Sequence, residues 1–159
     1  MNEHKYSKLH DLIAVSASEV IEKMFYKTLT PVDEDIMFNF EVVVTISFKG
    51  KYDGTFWIVL GKQLCYELSA SFLSMNAEDL DDELVHDTTK EIINMVCGNV
   101  LFNFDKQKKF DITIPSIFVD TNAQSQILTM PRTTYPFSFR IGKHPLKMIL
   151  ALKMGDIDG

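Results

Sequence analysis

EVVVTISFKGKYDGTFWIVL, residues 41–60, is the stretch whose reading decides the architecture. Two runs dominated by β-branched and aromatic side chains, Glu41–Phe48 and Thr55–Leu60, flank a segment holding Gly50, Asp53 and Gly54. Such runs favour strands, and the glycines and aspartate between them favour a tight reversal, so the stretch predicts a β-hairpin. Upstream, Leu12, Ile13, Val20, Ile21, Met24 and Phe25 recur at helical spacing from about His10 to Phe25, and Pro31 marks a break after that helix. Downstream, residues 62–73 read as a short helix, and the acidic connector SMNAEDLDDE supplies capping residues for the helix that follows.

That next helix, about Asp82 to Phe104, carries the longest helical signal in the chain, with Val85, Thr89, Ile92, Val96 and Val100 on one broad core-facing side. In FDITIPSIFVD, Pro115 interrupts an extended run; proline donates no ladder hydrogen bond, so an edge or the end of a strand is expected there. A polar turn near Asn122 and a strand over ILTM, residues 127–130, are expected next. The final YPFSFRIGKHPLKMILALK reads as two strands joined near Gly142 to Pro145, although LKMILALKMG also has helix-forming composition. The order of elements predicts an α+β fold. Residues 1–159 are expected to form a single domain with a flexible extreme N-terminus, in which a long helix packs on a predominantly antiparallel sheet.

Composition narrows the function. With 16 Lys and Arg against 22 Asp and Glu, the net charge of −6 disfavours nonspecific attraction to nucleic acid or to an anionic membrane. The apolar runs FWIVL and MILAL are far too short to cross a bilayer, and MNEHKYSKLH lacks the apolar core of a secretory signal. Cys65 and Cys97 are too distant in sequence for a CxxC pair and sit among apolar residues, as buried free thiols of a reducing, cytoplasmic compartment do. His4, His10, His86 and His144 form no local metal-binding pattern. No nucleophile elbow, P-loop or dinucleotide fingerprint occurs, and KGKYDGTF reads as a hairpin turn rather than a phosphate loop.

On the long helix, Asp87, Glu91, Asn94 and Gly98 recur at steps of four, three and four, which places them along one side. Glu91 offers a carboxylate able to pair with a lysine. Asn94, one turn on, offers an amide suited to orienting a water, and Gly98 leaves space beside them. A soluble helix also needs a polar face, so periodicity alone does not make this stripe a site.

The segment DTTKEIINMVCGN, residues 87–99, resembles the signature helix of the CheC/CheX/FliY chemotaxis phosphatases, in which an Asp or Ser, a Glu, an Asn and a later proline recur at set intervals. Asp87, Glu91, Asn94 and Pro115 occupy those places. The N-terminal helix, central hairpin, Gly98–Asn99 pair and ITIPSIFV extend the likeness to the CheX branch over most of the chain. The resemblance implies a phosphatase that hydrolyses the aspartyl phosphate of a CheY-like receiver domain. In that scheme Glu91 engages the receiver lysine and Asn94 orients the attacking water. Asp87, Gly98 and Asn99 are supporting or partner-facing, with Thr88, Thr89 and Lys90 bordering the partner surface. Mg²⁺ belongs to the phosphorylated receiver, and this chain binds no cofactor or metal of its own.

CheC-type relatives carry a second Glu/Asn signature on the N-terminal helix, but here Ser18 and Glu22 are followed by Phe25 where an Asn is expected. One site, and the homodimer typical of the CheX branch, are therefore expected. Leu101, Phe102 and Phe104 are expected to pack in the core or against a subunit; flanking Glu91 and Asn94 instead, they would alter partner choice. The alternatives are a noncatalytic receiver-binding module and a structural component of a chemotaxis or flagellar switch complex.

Overall fold

The computed structural model describes residues 3–107 and 109–153. The extreme N-terminus and the tail of LKMILALKMG lie outside the described residues. In chain order the elements are α1 (Glu3–Phe25), β1 (Leu29–Val32), β2 (Val42–Lys49), β3 (Gly54–Leu60), α2 (Lys62–Leu73), a 3₁₀ turn (Ala77–Asp79) and α3 (Asp82–Phe104). They continue through β4 (Asp111–Ile112), β5 (Ser116–Val119), α4 (Thr121–Leu128), β6 (Tyr135–Ile141) and β7 (His144–Leu152). This is the expected α+β architecture. The strands form one antiparallel sheet in the order β1-β6-β7-β3-β2-β4, with β5 also paired to β2.

The expected hairpin is β2–β3, in register from Val42 opposite Leu60 to Phe48 opposite Gly54. Its connection is closed by the Gly50 amide donating to Asp53 Oδ1 at 3.2 Å. Side chains alternate across a strand, and the hairpin uses both faces. Val42, Val44, Ile46, Phe48, Phe56, Ile58 and Leu60 enter the main core under the long helices. Val43, Trp57 and Val59 enter a smaller core on the opposite face. Each large apolar side chain buried this way contributes about 1.5–3 kcal/mol relative to exposure.

β6 and β7 are the two expected C-terminal strands, reversing through Gly142, whose φ of +58° is a conformation glycine adopts without steric cost. Pro115 separates β4 from β5, as its missing donor requires. Pro31 does more than break α1: it lies within β1, an edge strand in which Pro31 stands opposite Phe139. Edge placement tolerates the absent amide.

Two expectations are corrected. The first helix begins at Glu3, well before His10, because its early turns also pack on the sheet: the Tyr6 ring stacks on Phe137 at 5.2 Å and its hydroxyl donates to the Pro136 carbonyl at 2.6 Å. ILTM is not a strand. After Asp120 turns the chain with a φ of +53°, Ile127 and Leu128 complete α4, and Ala123 and Ile127, four residues apart, lay that helix on the Trp57 face. Helical spacing, not alternation, satisfies that second core.

Candidate functional site

α3 starts where the acidic connector ends. Asp81 caps it, accepting a hydrogen bond from the Leu84 amide at 2.8 Å, and Asp82 and Glu83 place negative charge in the first turn. A cap of this kind contributes about 1 kcal/mol, and the acidic turn complements the helix dipole. Val85, Ile92, Ile93, Val96, Cys97, Val100 and Leu101 are buried, which fixes the rotation of the helix about its axis. Thr88 and Thr89 are buried as well, their hydroxyls donating to the Leu84 and Val85 carbonyls. They are therefore part of the helix's inner side and do not border a partner surface.

The opposite side carries the stripe. Asp87, Glu91 and Asn94 are exposed, Gly98 is half-buried, and consecutive members stand one turn apart. Asp87 does not cap the helix; its carboxylate lies 3.5 Å from the Lys90 ammonium, an exposed pair that contributes little to stability. The side chains of Glu91 and Asn94 make no hydrogen bond or ion pair with other described residues, so a carboxylate and an amide stand available about 4.5 Å apart along the axis.

Gly98 stands in the helix interior, where it costs about 1 kcal/mol relative to alanine. Packing among the described residues does not demand it: a Cβ there would meet only Ile112 Cδ1 of them, at 4.0 Å, an ordinary contact.

Asn99 has a definite structural partner. Its amide donates to the Ser16 carbonyl at 2.8 Å and to Glu19 Oε2 at 2.9 Å, while Asn103 donates to Ser16 Oγ at 2.9 Å. These bonds tie α3 to α1, which runs antiparallel beside it. The Asn99 bond, more than any other contact, holds the Glu19 carboxyl below its ordinary value, with Asn103, Lys23 and Lys106 acting in the same direction. Above this seam lies a groove of about 380 Å³ that includes Asn94, Gly98 and Phe102 from α3 and Glu19, Lys23 and Met24 from α1.

The apolar end of α3 divides between the two expectations. Leu101 is in the core, but Phe102 is 57% exposed and Phe104 46% exposed. Phe102 continues the stripe one turn beyond Gly98, with Lys106 Nζ 5.8 Å from its ring centroid. It thus flanks the groove that contains Asn94. Phe104 turns elsewhere, edge-on to Tyr52 at 5.2 Å, beside a mainly apolar cavity of about 270 Å³ at the far end of the helix pair. Cys97 lines that cavity, and burial pushes its thiol up to about 12. Cys65, also buried, is likewise pushed to about 12, chiefly by desolvation. Neither thiol supplies a ready nucleophile at neutral pH.

The position where a second signature would need an asparagine is filled by Phe25, fully buried and stacked on Phe72 at 5.1 Å. His10 and His144 find carboxylates, Asp11 at 3.6 Å and Glu67 at 3.1 Å. Among the described residues no group of three or more His, Cys, Asp and Glu side chains is placed to hold a metal ion. No helix there is long and apolar enough to cross a membrane.

The family model described as Chemotaxis phosphatase CheX matches residues 42–138, more than half of the chain and the whole of α3. The chain belongs to the CheX family. The CheX fold extends beyond the matched segment. A CheX of Borrelia burgdorferi, solved in a complex with CheY, BeF₃ and Mg²⁺, is 19% identical, covers 90% of this chain and 96% of its own, and superposes with a TM-score of 0.73. The chemotaxis protein CheX of Vibrio vulnificus is 18% identical over 92% of this chain and 99% of its own, with a TM-score of 0.72. FliY of Thermotoga maritima shares the fold at 16% identity, 98% and 92% coverage and a TM-score of 0.67. No curated protein is a significant match to the chain.

Of the two readings open for Phe102 in the sequence, packing in the core or against a subunit and flanking Glu91 and Asn94, the exposed position beside the Asn94 groove fits the second, and the α1 side of the groove was not singled out from sequence. The available signal was the four-residue step from Gly98 to Phe102, which extends the polar stripe but reads as core when judged by hydrophobicity alone.

Proposed function

We propose that this CheX-family protein is a phosphatase that hydrolyses the aspartyl phosphate of a CheY-like receiver domain. The observation that carries this reading is the isolation of Glu91 and Asn94: the helix buries its other side while this carboxylate and this amide stand exposed, one turn apart and without side-chain partners among the described residues. The Borrelia burgdorferi relative, solved with CheY, supports the choice of partner.

Chemically, an acyl phosphate is already activated, so its hydrolysis needs a positioned water and neutralised phosphoryl charge more than a covalent catalyst. Glu91 engages the receiver's lysine. Asn94 directs a lone pair of a water at phosphorus, in line with the scissile bond. Oxygen–phosphorus bonding to water forms as the bond to the aspartyl oxygen breaks, releasing inorganic phosphate and restoring the receiver carboxylate. The neutral Asn94 amide cannot take the water's proton, which passes to phosphate or solvent. Mg²⁺ held by the receiver supplies charge neutralisation.

Asp87 shapes the edge of the surface through Lys90, and Asn99 is a positioning residue that holds α3 against α1. A cytoplasmic homodimer working in chemotaxis or motility signalling completes the proposal, and sedimentation at increasing concentration tests its dimeric part.

The test is the lifetime of aspartyl phosphate on CheY-like receivers with Mg²⁺, comparing the protein with Asn94→Ala at matched receiver saturation. Faster decay with the unaltered protein alone is the expected result. Binding without faster decay would replace this reading with a noncatalytic receiver-binding module.

A further inference from the structure

We infer that the groove between α1 and α3 is a specificity pocket for the receiver, receiving an apolar side chain that has a carboxylate next to it. This rests on the proposed receiver-directed function and adds to it the feature by which one receiver is chosen over another.

Three observations converge on the groove. Gly98 forms part of its wall, yet no backbone or crowded side chain among the described residues requires a glycine there, since the nearest of their atoms to an added Cβ is Ile112 Cδ1 at 4.0 Å. The space beside its Cα is therefore available to an incoming group. Phe102 and Met24, 57% and 42% exposed, face solvent from the two helices on either side. Exposed aromatic and methionine side chains beside a polar centre form an adaptable apolar contact for a partner.

Charge selects the rest of the occupant. Glu19 already accepts from Asn99, whereas Lys23 lines the groove and Lys106 lies over the Phe102 ring. Set against the one Glu19 carboxylate that both of them favour, these two ammonium groups leave the groove one net positive charge, which in a chain of net charge −6 favours an acidic neighbour to the apolar anchor. Continuity fixes which partner this is: Asn94 belongs both to the proposed catalytic pair and to the groove wall, so a receiver seated on Asn94 must cover the groove. Glu91 and Asn94 then act on a phosphoryl group common to receivers, while Gly98, Phe102 and Met24 meet what differs between them.

The experiment measures the Kd of a CheY-like receiver activated with beryllofluoride and Mg²⁺, together with KM and kcat on the phosphorylated form, for the full chain and for Phe102→Ala, Gly98→Ala and Lys106→Glu. Phe102→Ala and Gly98→Ala are expected to raise Kd about tenfold, with more of the loss in KM than in kcat. Lys106→Glu is expected to weaken binding most at low salt. Gly98→Ala should melt at or above the temperature of the unaltered protein, so weakened binding cannot be assigned to unfolding. Kd values within twofold for both Phe102→Ala and Gly98→Ala would overturn the pocket even if Asn94→Ala abolishes turnover. Tenfold weaker binding by these variants in a protein that never accelerates phosphate release would keep the pocket and remove the phosphatase reading. Failure of the unaltered protein to bind any activated receiver would remove both.

Discussion

Two neighbouring antiparallel helices carry the same spacing and put it to opposite use. On α3, Asp87, Glu91 and Asn94 stand at steps of four and three on an exposed side. On α1, Ser18, Glu22 and Phe25 repeat those steps, but the last residue is fully buried against Phe72. Equal spacing does not give equal exposure: on α1 Glu22 is exposed while Phe25 is buried, because the packing of the whole helix sets its rotation. On α1 the exposed Glu22 carboxylate has a buried phenylalanine, not an amide, three residues on. The amide at the third position is what gives α3 its proposed chemistry.

The sharpest way to break this contrast is to strip the third position of each helix. Phe25→Ala should lower stability by about 3–5 kcal/mol, read by chemical denaturation, because the surrounding core cannot fully close over the missing ring. A loss below about 1 kcal/mol would mean that α1 does not anchor the fold through this residue. Asn94→Ala should leave stability within about 0.5 kcal/mol while slowing receiver dephosphorylation on the order of 100-fold, equivalent to about 2.7 kcal/mol of transition-state stabilisation. Parallel loss of melting temperature and turnover would erase the distinction between the two helices.

The middle position sharpens the comparison further. Glu91→Ala is expected to weaken productive receiver engagement about tenfold, or about 1.4 kcal/mol, whereas Glu22→Ala should leave phosphate release unchanged. Equal effects of the two substitutions in a turnover assay would point to a second functional surface on α1.

The smallest effect concerns the seam between the helices. Asn99→Ala should cost about 1 kcal/mol through loss of its bond to the Ser16 carbonyl. Because Glu19 has its folded-state value lowered, its stabilising contribution is complete above its ordinary value of 4.5 and is lost as pH falls through the lower folded value. Melting temperatures of the unaltered protein and Asn99→Ala should therefore differ most near neutrality and converge in acid. A gap that widened on acidification would contradict the assigned partner of Glu19.

How much of this was legible depends on the range of the interaction involved. The hairpin, the long helix and the final two strands follow from local periodicity, and the stripe of Asp87, Glu91, Asn94 and Gly98 follows from helix geometry alone. ILTM failed as a strand because Ile127 answers to Trp57 and Val59, far away in sequence, and a helix brings Ala123 and Ile127 onto them together. β1 escaped notice because four residues containing a proline make a poor strand until β6 supplies the other edge. Hydrophobicity placed Phe102 in the core or against a subunit, with flanking Glu91 and Asn94 as the alternative; the rotation of α3 is set jointly by its other buried positions, and that rotation turns Phe102 outward.

By itself, the sequence determined the α+β order, the hairpin register's alternating pattern and the presence of an exposed Glu–Asn stripe, since each depends on periods of two or 3.6 residues within one segment. Only the tertiary structure decided that α1 lies antiparallel to that stripe, that Asn99 locks the pair together, and that Gly98, Phe102 and Met24 enclose a groove beside Asn94. Those features arise between segments some 80 residues apart in the chain, as Asn99 and Ser16 are. Packing of both helices on one sheet face, rather than any local preference, sets their relative rotation.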